Sequence, residues 1–360
     1  MYISMVFMLS VIRLLLVPLL ALNLSGPAEP QRASYAERAE VQLFATQMAE
    51  KYGKSKAHWL DMLAKSHYQA QIAALVMPVE TVPNKKNWRA YRQRFIEPLR
   101  IRNGVQFWKA HQDTLQRAEK EYGIPIEIIV SIIGIETLYG KNTGSFSVLD
   151  ALATLSFDYP NTPNQAQRSA LFREELSYYL QWCDINNRPP EQALGSYTGA
   201  MGIPQFMPSS LRNYGVKFDR GETVDLENSP IDAIGSVANF LKQHGWEVGR
   251  PIAWKIADDA RSDEVAKKYA DGLPMPHFYL HQLTNEGLKL ESSPNPVDTT
   301  AEANTPILII DLPTPGQATQ HWVGLQNFYT LTRYNQSFFY ALSVYELAQA
   351  IRLAKNNQAH

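Results

Sequence analysis

The chain reads as a mainly α protein with a small β-containing part. Three observations predict this. Apolar residues recur at helical spacing through most of the 360 residues. Short β-branched or aromatic runs gather between about 252 and 332. The composition is that of a packed globular chain, 45% apolar and 19% charged, and the length suits roughly two to three domains with a sizeable core.

Residues 1–22 are almost wholly apolar, broken by Arg13. Residues 11–22 resemble the apolar stretch of a signal peptide, and Gly26-Pro27-Ala28 offers a small-residue cleavage site before Glu29. An uncleaved signal anchor is the other reading, since the run approaches the ~20 residues that span a membrane. Residues 1–28 are therefore expected to be a signal peptide or anchor, and the remainder to be exported. No lipid-acceptor cysteine follows the leader. The single cysteine, Cys183, has no partner for an internal disulfide and suits a small buried hydrophobe.

Residues 35–122 form the expected N-terminal helical region. Val41, Phe44, Met48 and Tyr52 share a helical face, and a second amphipathic run passes through Trp59 and Leu63. Residues 78–88 carry two prolines and read as an extended crossing. Residues 88–122 return to helix, with Phe107, Leu115 and Ala118 on one side. Residues 149–157 are short and apolar, 161–165 are a loop, 168–186 a helix, and 230–244 a helix with Pro230 in its first turn. Beyond Gly245 the texture changes. Residues 252–256 alternate, and 305–311, 321–325 and 328–332 are strand-like runs separated by Pro and Gly. Residues 249–325 are thus expected to be a small β-containing domain, holding a polar loop at 292–304. Residues 326–354 close the chain, with a helix from Phe338.

The most informative segment is 124–140, IPIEIIVSIIGIETLYG. Pro125 suits a first helical turn, where its missing N–H has no partner to lose, and Gly140 suits the stop. At about 100° per residue, Glu127, Ser131 and Gly134 fall on one stripe, the expected wet side. Glu136 falls about 180° away, between Pro125, Ile129, Ile132 and Gly140. Its carboxyl should therefore meet apolar surroundings. Burial disfavours the charged form, and the carbonyl end of the helix pushes the same way. A carboxylic acid neutral at neutral pH is what a general acid for glycoside cleavage requires. A buried glutamate satisfied by hydrogen bonds is the bland alternative.

A second segment, 195–210, reads GSYTGAMGIPQFMPSS. Three glycines and two prolines make it irregular, yet it is too apolar for a free surface loop. A structured loop lining a cleft fits both facts. Ser196 and Gln205 are its available polar groups, suited to a sugar hydroxyl, an acetamide or the catalytic acid. A turn or cap role for Ser196 and a satisfied core amide for Gln205 are the alternatives.

With these residues in view, the chain resembles the membrane-bound lytic murein transglycosylase B family (glycoside hydrolase family 103), which has a goose-lysozyme-like catalytic core. The matching stretches are YRQRFIEPLRIRNGVQFW, YGIPIEIIVSIIGIETLYG, LDALATLSFDYP, GAMGIPQFMPSS, PIDAIGSVANFLKQHGW and LTRYNQSFFYALSVYELAQA, from about Tyr91 to Ala350. The resemblance implies a lysozyme-like core over 123–248. It implies Glu136 as sole acid/base flanked by Ser196 and Gln205, in a groove lined by Tyr91, Tyr334, Asn335 and Tyr340. It further implies cleavage of the bond between N-acetylmuramic acid and N-acetylglucosamine with 1,6-anhydromuramyl ends. The expected partner is the peptidoglycan glycan strand, with cell-wall synthesis or division proteins left open. The expected location is the periplasm or cell envelope of a Gram-negative bacterium. Lys and Arg total 34 against 35 acids, a balance that gives no electrostatic case for nucleic acid.

The chain departs from the family at three places. Many members carry an arginine pair soon after the Tyr-Pro step, but here Tyr159-Pro160 is followed by NTPNQAQR, leaving only Arg168. Many have Tyr after the helix Asn; here Asn239 precedes Phe240. Some carry a calcium loop, but KFDRGETVDLENSPID, holding Asp219, Glu222, Glu227 and Asp232, lacks the Asp-x-Asp-x-Asp-Gly order. No metal and no cofactor are expected. His277 and His281 are four apart but lack a zinc-protease glutamate, so a structural or surface role is expected.

Two rivals remain at this level. A hydrolytic muramidase needs a second carboxylate, Asp150 or Asp158 being available, although Asp150 suits the cap of the following helix. An inactive peptidoglycan-binding scaffold would keep the aromatic groove and tolerate loss of the acid.

Overall fold

A computed structural model describes residues 34–77, 86–219, 221–291 and 302–358. The expected leader, most of the extended crossing and most of the 292–304 loop lie outside the described residues. After a 3-10 turn at Tyr35–Glu37, the helices run in chain order as α1 (Ala39–Tyr52), α2 (Lys56–Leu63), α3 (Ala70–Val76), α4 (Trp88–Phe95), α5 (Pro98–Ala110), α6 (Gln112–Tyr122), α7 (Ile126–Thr137), α8 (Val148–Phe157), α9 (Gln165–Ile185), α10 (Pro208–Tyr214), α11 (Pro230–Gln243), α12 (Ala260–Tyr269), α13 (Leu280–Asn285), α14 (Gln326–Tyr334) and α15 (Phe338–Asn356). The strands are β1 (Phe146–Ser147), β2 (Leu194–Gly195), β3 (Ala253–Lys255), β4 (Phe278–Tyr279), β5 (Pro306–Leu312) and β6 (Gln320–Gly324). The fold is mainly α with a small β part. Among the described residues, no helix is long and apolar enough to cross a membrane.

Local signals explain several boundaries. The 88–122 stretch, expected as continuous helix, is three helices. Pro98 opens α5 because it has no N–H to leave unpaired, and the Glu97 carboxylate accepts the N–H groups of Leu99 and Arg100. Helix α8 is capped by Ser147, whose hydroxyl accepts the Asp150 N–H. Asp150 is therefore not the cap expected of it. It sits one turn in, and its carboxylate accepts the His67 N–H at 2.8 Å and the Gln69 side-chain amide at 2.9 Å.

The chain divides into two compact units. One contains the described residues among 34–77 and 140–230. Its helices α8 and α9 pack along each other, α1 packs on α2, and α3 on α8. Ile72, Ala151, Leu155 and Tyr159 form one of its apolar clusters. The Tyr35 hydroxyl and the Arg38 guanidinium both donate to Asp158 at the end of α8, at 2.5 and 2.7 Å. Cys183 is buried.

The other unit contains the described residues among 80–139 and 231–358. Helix α7 lies in its interior, packed by α5, α6 and α15. The antiparallel sheet β3-β6-β5-β4 belongs to this unit, with Ile309 opposite Val323. Ile307, Ile309 and Val323 share a cluster with Val265 of α12 and Leu280 and Leu283 of α13. Residues 328–332, expected as strand, are helical within α14. Phe328, Leu331 and Thr332 are buried at i, i+3 and i+4, so tertiary packing selects the helix over the β propensity of these residue types. His277 pairs with Asp271 and His281 with the Ala303 carbonyl, both structural arrangements.

Candidate active site

Helix α7 is almost wholly buried. Ser131 and Gly134 are therefore not on a wet face, as the wheel suggested. The Ser131 hydroxyl donates to the Val344 carbonyl of α15 at 2.6 Å, and the Arg100 side chain donates to the Gly134 carbonyl at 3.0 Å. The reason is that helices cover α7 on several sides, which periodicity alone does not encode. Only Glu127 of the expected stripe is partly exposed. The ends also differ from expectation. Pro125 is the N-cap, and the helix stops at Leu138 in the left-handed region, two residues before Gly140.

Glu136 sits in the last turn of α7 and is 7% exposed. Ile132 and Ile129, one and two turns back on its face, are fully buried. Its hydrogen-bond partner among the described residues is Tyr340 of α15, which donates to Oε1 at 2.6 Å. Burial pushes the carboxyl up to about 7, against the smaller opposing effect of the Tyr340 hydrogen bond. The sign follows from chemistry. Loss of water penalises the carboxylate, while a donor aimed at it favours the carboxylate. The result is an acid that exchanges its proton near neutrality.

Tyrosines gather around it. Tyr334 stacks on Tyr340, with ring centroids 6.3 Å apart and planes 11° apart. Tyr91 of α4 meets Phe339 and Phe95. Tyr91, Tyr334 and Tyr340 all have their phenols raised by burial first and by Glu136 second, so each stays a neutral donor. Asn335 is the residue after α14, half-buried, and its carbonyl accepts the Ser337 N–H. Phe240 of α11 meets the Tyr334 ring edge-on at 4.9 Å. One acid and four candidate lining residues, drawn from positions 91 to 340, thus fall within one unit. Phe339 is an addition that sequence reasoning missed. Its ring touches both Trp88 and Tyr91, and its only sequence signal was the doubled aromatic before Tyr340.

In the other unit, the 195–210 loop is tied by bridges from Met201 to Gly195 and to Phe206. The Ser196 hydroxyl accepts the Ala200 N–H at 3.0 Å and the Thr198 N–H at 3.3 Å, which closes the turn. Gln205 is held in the left-handed region at φ 50. Its amide nitrogen donates to the carbonyls of Thr143 and Gly202, both at 2.9 Å. That fixes the side chain, and its Oε1 makes no hydrogen bond among the described residues. Among the described residues, no group of three or more His, Cys, Asp or Glu gathers as metal ligands do.

Known proteins resemble this chain along most of its length. Residues 36–349 match the family model described as the transglycosylase SLT domain. The chain is 38% identical over 331 residues to the membrane-bound lytic murein transglycosylase B of Escherichia coli K12, covering 89% of this chain and 85% of that protein. It resembles the solved lytic transglycosylase SltB1 of Pseudomonas aeruginosa, with TM-score 0.78 and 38% identity over 89% of this chain and 99% of that one. It also resembles SltB3 of the same organism, solved with NAG-NAM-pentapeptide, with TM-score 0.72 and 26% identity over 87% of this chain and 79% of that one. A chain that carries this domain along 36–349 and shares 38% of its residues with a lytic transglycosylase belongs to the transglycosylase SLT-domain family and is itself a lytic transglycosylase.

Proposed function

We propose that the protein cleaves the β-1,4 bond between N-acetylmuramic acid and N-acetylglucosamine of peptidoglycan and leaves 1,6-anhydromuramyl ends, with Glu136 as the single acid/base. The observation that carries the reading is the Glu136 carboxyl, buried, raised to about 7 and hydrogen-bonded by Tyr340. Glu136 protonates the leaving glycosidic oxygen as the bond to the muramyl anomeric carbon breaks. The carboxylate then takes the proton of the muramyl 6-hydroxyl, whose oxygen bonds to that carbon. Glu136 ends protonated, and no water is consumed. The 6-hydroxyl is tethered to the reacting ring, so its attack has the high effective concentration of an intramolecular step.

Tyr91, Tyr334 and Tyr340 lie beside the acid, and with Asn335 they meet the sugar in this reading. Ser196 and Gln205 contact substrate in this reading, Gln205 through its remaining acceptor Oε1. Substrate is the glycan strand, in keeping with the murein named for the E. coli relative and the NAG-NAM-pentapeptide held by SltB3. The location is the cell envelope, as the relative's membrane-bound character suggests.

The rival hydrolase needs a second carboxylate to activate water. Asp150 is engaged by His67 and Gln69, and Asp158 by Tyr35 and Arg38, which favours the single-acid reading. Digestion of murein in heavy-oxygen water tests it by mass spectrometry. New ends should lack both the label and one water. Label at those ends would replace this reading with a hydrolytic muramidase. Failure of the pure protein to clear a murein suspension would point to a binding scaffold.

A further inference from the structure

We infer that Tyr139 is a positioning residue for Glu136: its ring and hydroxyl lock the left-handed turn that ends α7 and so hold the carboxyl in its buried place. The inference rests on the reading of Glu136 as the acid. Leu138, Tyr139 and Gly140 lie one after another at φ 50, 63 and 82. Glycine normally takes such a position, because a Cβ is crowded there. Two consecutive non-glycine residues in this region persist only where the surroundings over-determine them, and such places cluster at functional sites.

The surroundings here are specific. The Leu138 N–H returns to the Gly134 carbonyl at 3.2 Å, the bond of an αL helix end, and the Tyr139 N–H to the Ile133 carbonyl at 3.3 Å. The Tyr139 hydroxyl donates to the Arg100 carbonyl of α5 at 2.9 Å. Its ring meets Phe107 at 5.5 Å. The side chain occupies space that Gly134 and Gly104 leave open. A Cβ on Gly134 would stand 2.5 Å from the Tyr139 oxygen, and a Cβ on Gly104 would stand 2.5 Å from the same atom. Arg100 completes the grip through its own bond to the Gly134 carbonyl. The last turn of a helix ordinarily frays. Here it is fastened to α5 on both sides of Glu136.

The groups facing Glu136 are Tyr91 of α4, Tyr334 of α14 and Tyr340 of α15. Arg100 of α5 lies on Gly134, while Glu119 of α6 and Arg352 of α15 serve the opposite end of α7, at Ile126 and Glu127. Of these, Arg100 alone bonds to the Tyr139 hydroxyl, through its carbonyl, and Tyr139→Phe removes none of the tyrosines that face Glu136, so an effect on Glu136 would arise from its placement.

The test compares the full chain with Tyr139→Phe, which keeps the ring, and with Tyr139→Ala. Turnover of murein is measured across pH, and the glutamate carboxyls are titrated by carbon NMR. Glu136 is assigned by its absence from Glu136→Gln. Tyr139→Phe should lower kcat about 10-fold with KM little changed, since small misplacements of a catalytic group are costly. Its Glu136 should titrate below the wild-type value, because a loosened turn admits water. Tyr139→Ala should lose more, with the aromatic variant recovering part of the loss. A Tyr139→Phe protein with wild-type kcat and wild-type Glu136 titration would overturn the inference while leaving Glu136 as the acid. Undiminished turnover by Glu136→Gln would instead overturn the reading of Glu136 itself.

Discussion

Glu136 is buried and Glu175 half-buried, one in each unit, and both carboxyls are raised by loss of water first. Their partners differ. Glu175 accepts the Ser209 N–H at 2.8 Å and the Ser209 hydroxyl at 2.6 Å. Ser209 lies in the first turn of α10, so Glu175 meets an orphan N–H and the positive end of a helix. Glu136 lies at the negative end of α7, with a phenol as its single donor among the described residues. The first arrangement satisfies a carboxylate and fastens a helix start. The second leaves a carboxyl that gives up and regains a proton at little cost. Loss of water alone therefore does not single out Glu136 as the proposed acid; the number and polarity of its partners do.

The sharpest test of the contrast is Glu136→Gln. Murein turnover should fall by about 10²–10⁴, the range for removing a general acid–base, while sugar binding and the fold remain. The stability of the wild-type protein should also depend on pH in a predictable sense. The raised folded pKa means that the native state holds its proton more tightly than the unfolded chain. That stabilisation is present below the ordinary carboxyl range and is lost as pH rises through about 7. The glutamine variant has no such loss, so at pH 8 it should exceed the wild type by on the order of 1–3 kcal/mol. Denaturant unfolding at pH 5 and pH 8 measures this. Equal pH dependence in the two proteins would remove the argument for a protonated acid.

Tyr340→Phe should have the next largest effect. It removes the donor that favours the carboxylate, so Glu136 should titrate higher and the basic limb of the rate profile should move up. A downward shift would show that Tyr340 acts on something other than this carboxyl.

Glu175→Ala belongs to the other side of the comparison. It should cost about 1 kcal/mol of stability, as expected for removing the hydrogen bonds of a half-buried partner, with turnover per folded molecule unchanged. A loss of kcat without a loss of melting temperature would erase the distinction between the two glutamates.

The smallest effect is expected from calcium. In the 217–232 loop, Asp219 accepts the Gly221 N–H and the Ser229 hydroxyl, Asp225 accepts the N–H groups of Glu227 and Asn228, and Arg188 holds Glu227. These acceptors are occupied by the chain's own donors. Micromolar calcium should leave the melting temperature unmoved, whereas a saturable rise reversed by chelation would reveal tight binding.

How much of this was legible beforehand depends on the range of the interaction. Helix α7, its apolar character and the burial of Glu136 follow from residues within a few turns of one another, where a 3.6-residue period is informative. The constrained character of the 195–210 loop was also legible, from glycines and prolines set among apolar side chains. Local patterning failed where a second partner decides. Ser131 and Gly134 looked exposed because a wheel assumes one wet face, yet α15 and α5 cover them. Residues 328–332 looked like strand because β-branched and aromatic types suit either state once buried, and packing in α14 chose the helix. Asp150 looked like a cap, but Ser147 took that role and left the carboxylate to His67 and Gln69.

The donor to Glu136 comes from a residue 204 positions away. No periodicity links positions so far apart; only the packing of α15 on α7 brings them together. The sequence by itself determined that a carboxyl would stand on an apolar helix near its end. The tertiary structure decided which hydroxyl meets it and how the turn after it is held. The physical reason is that desolvation can be read from neighbours along one helix, whereas hydrogen-bond partners depend on which helices pack against it.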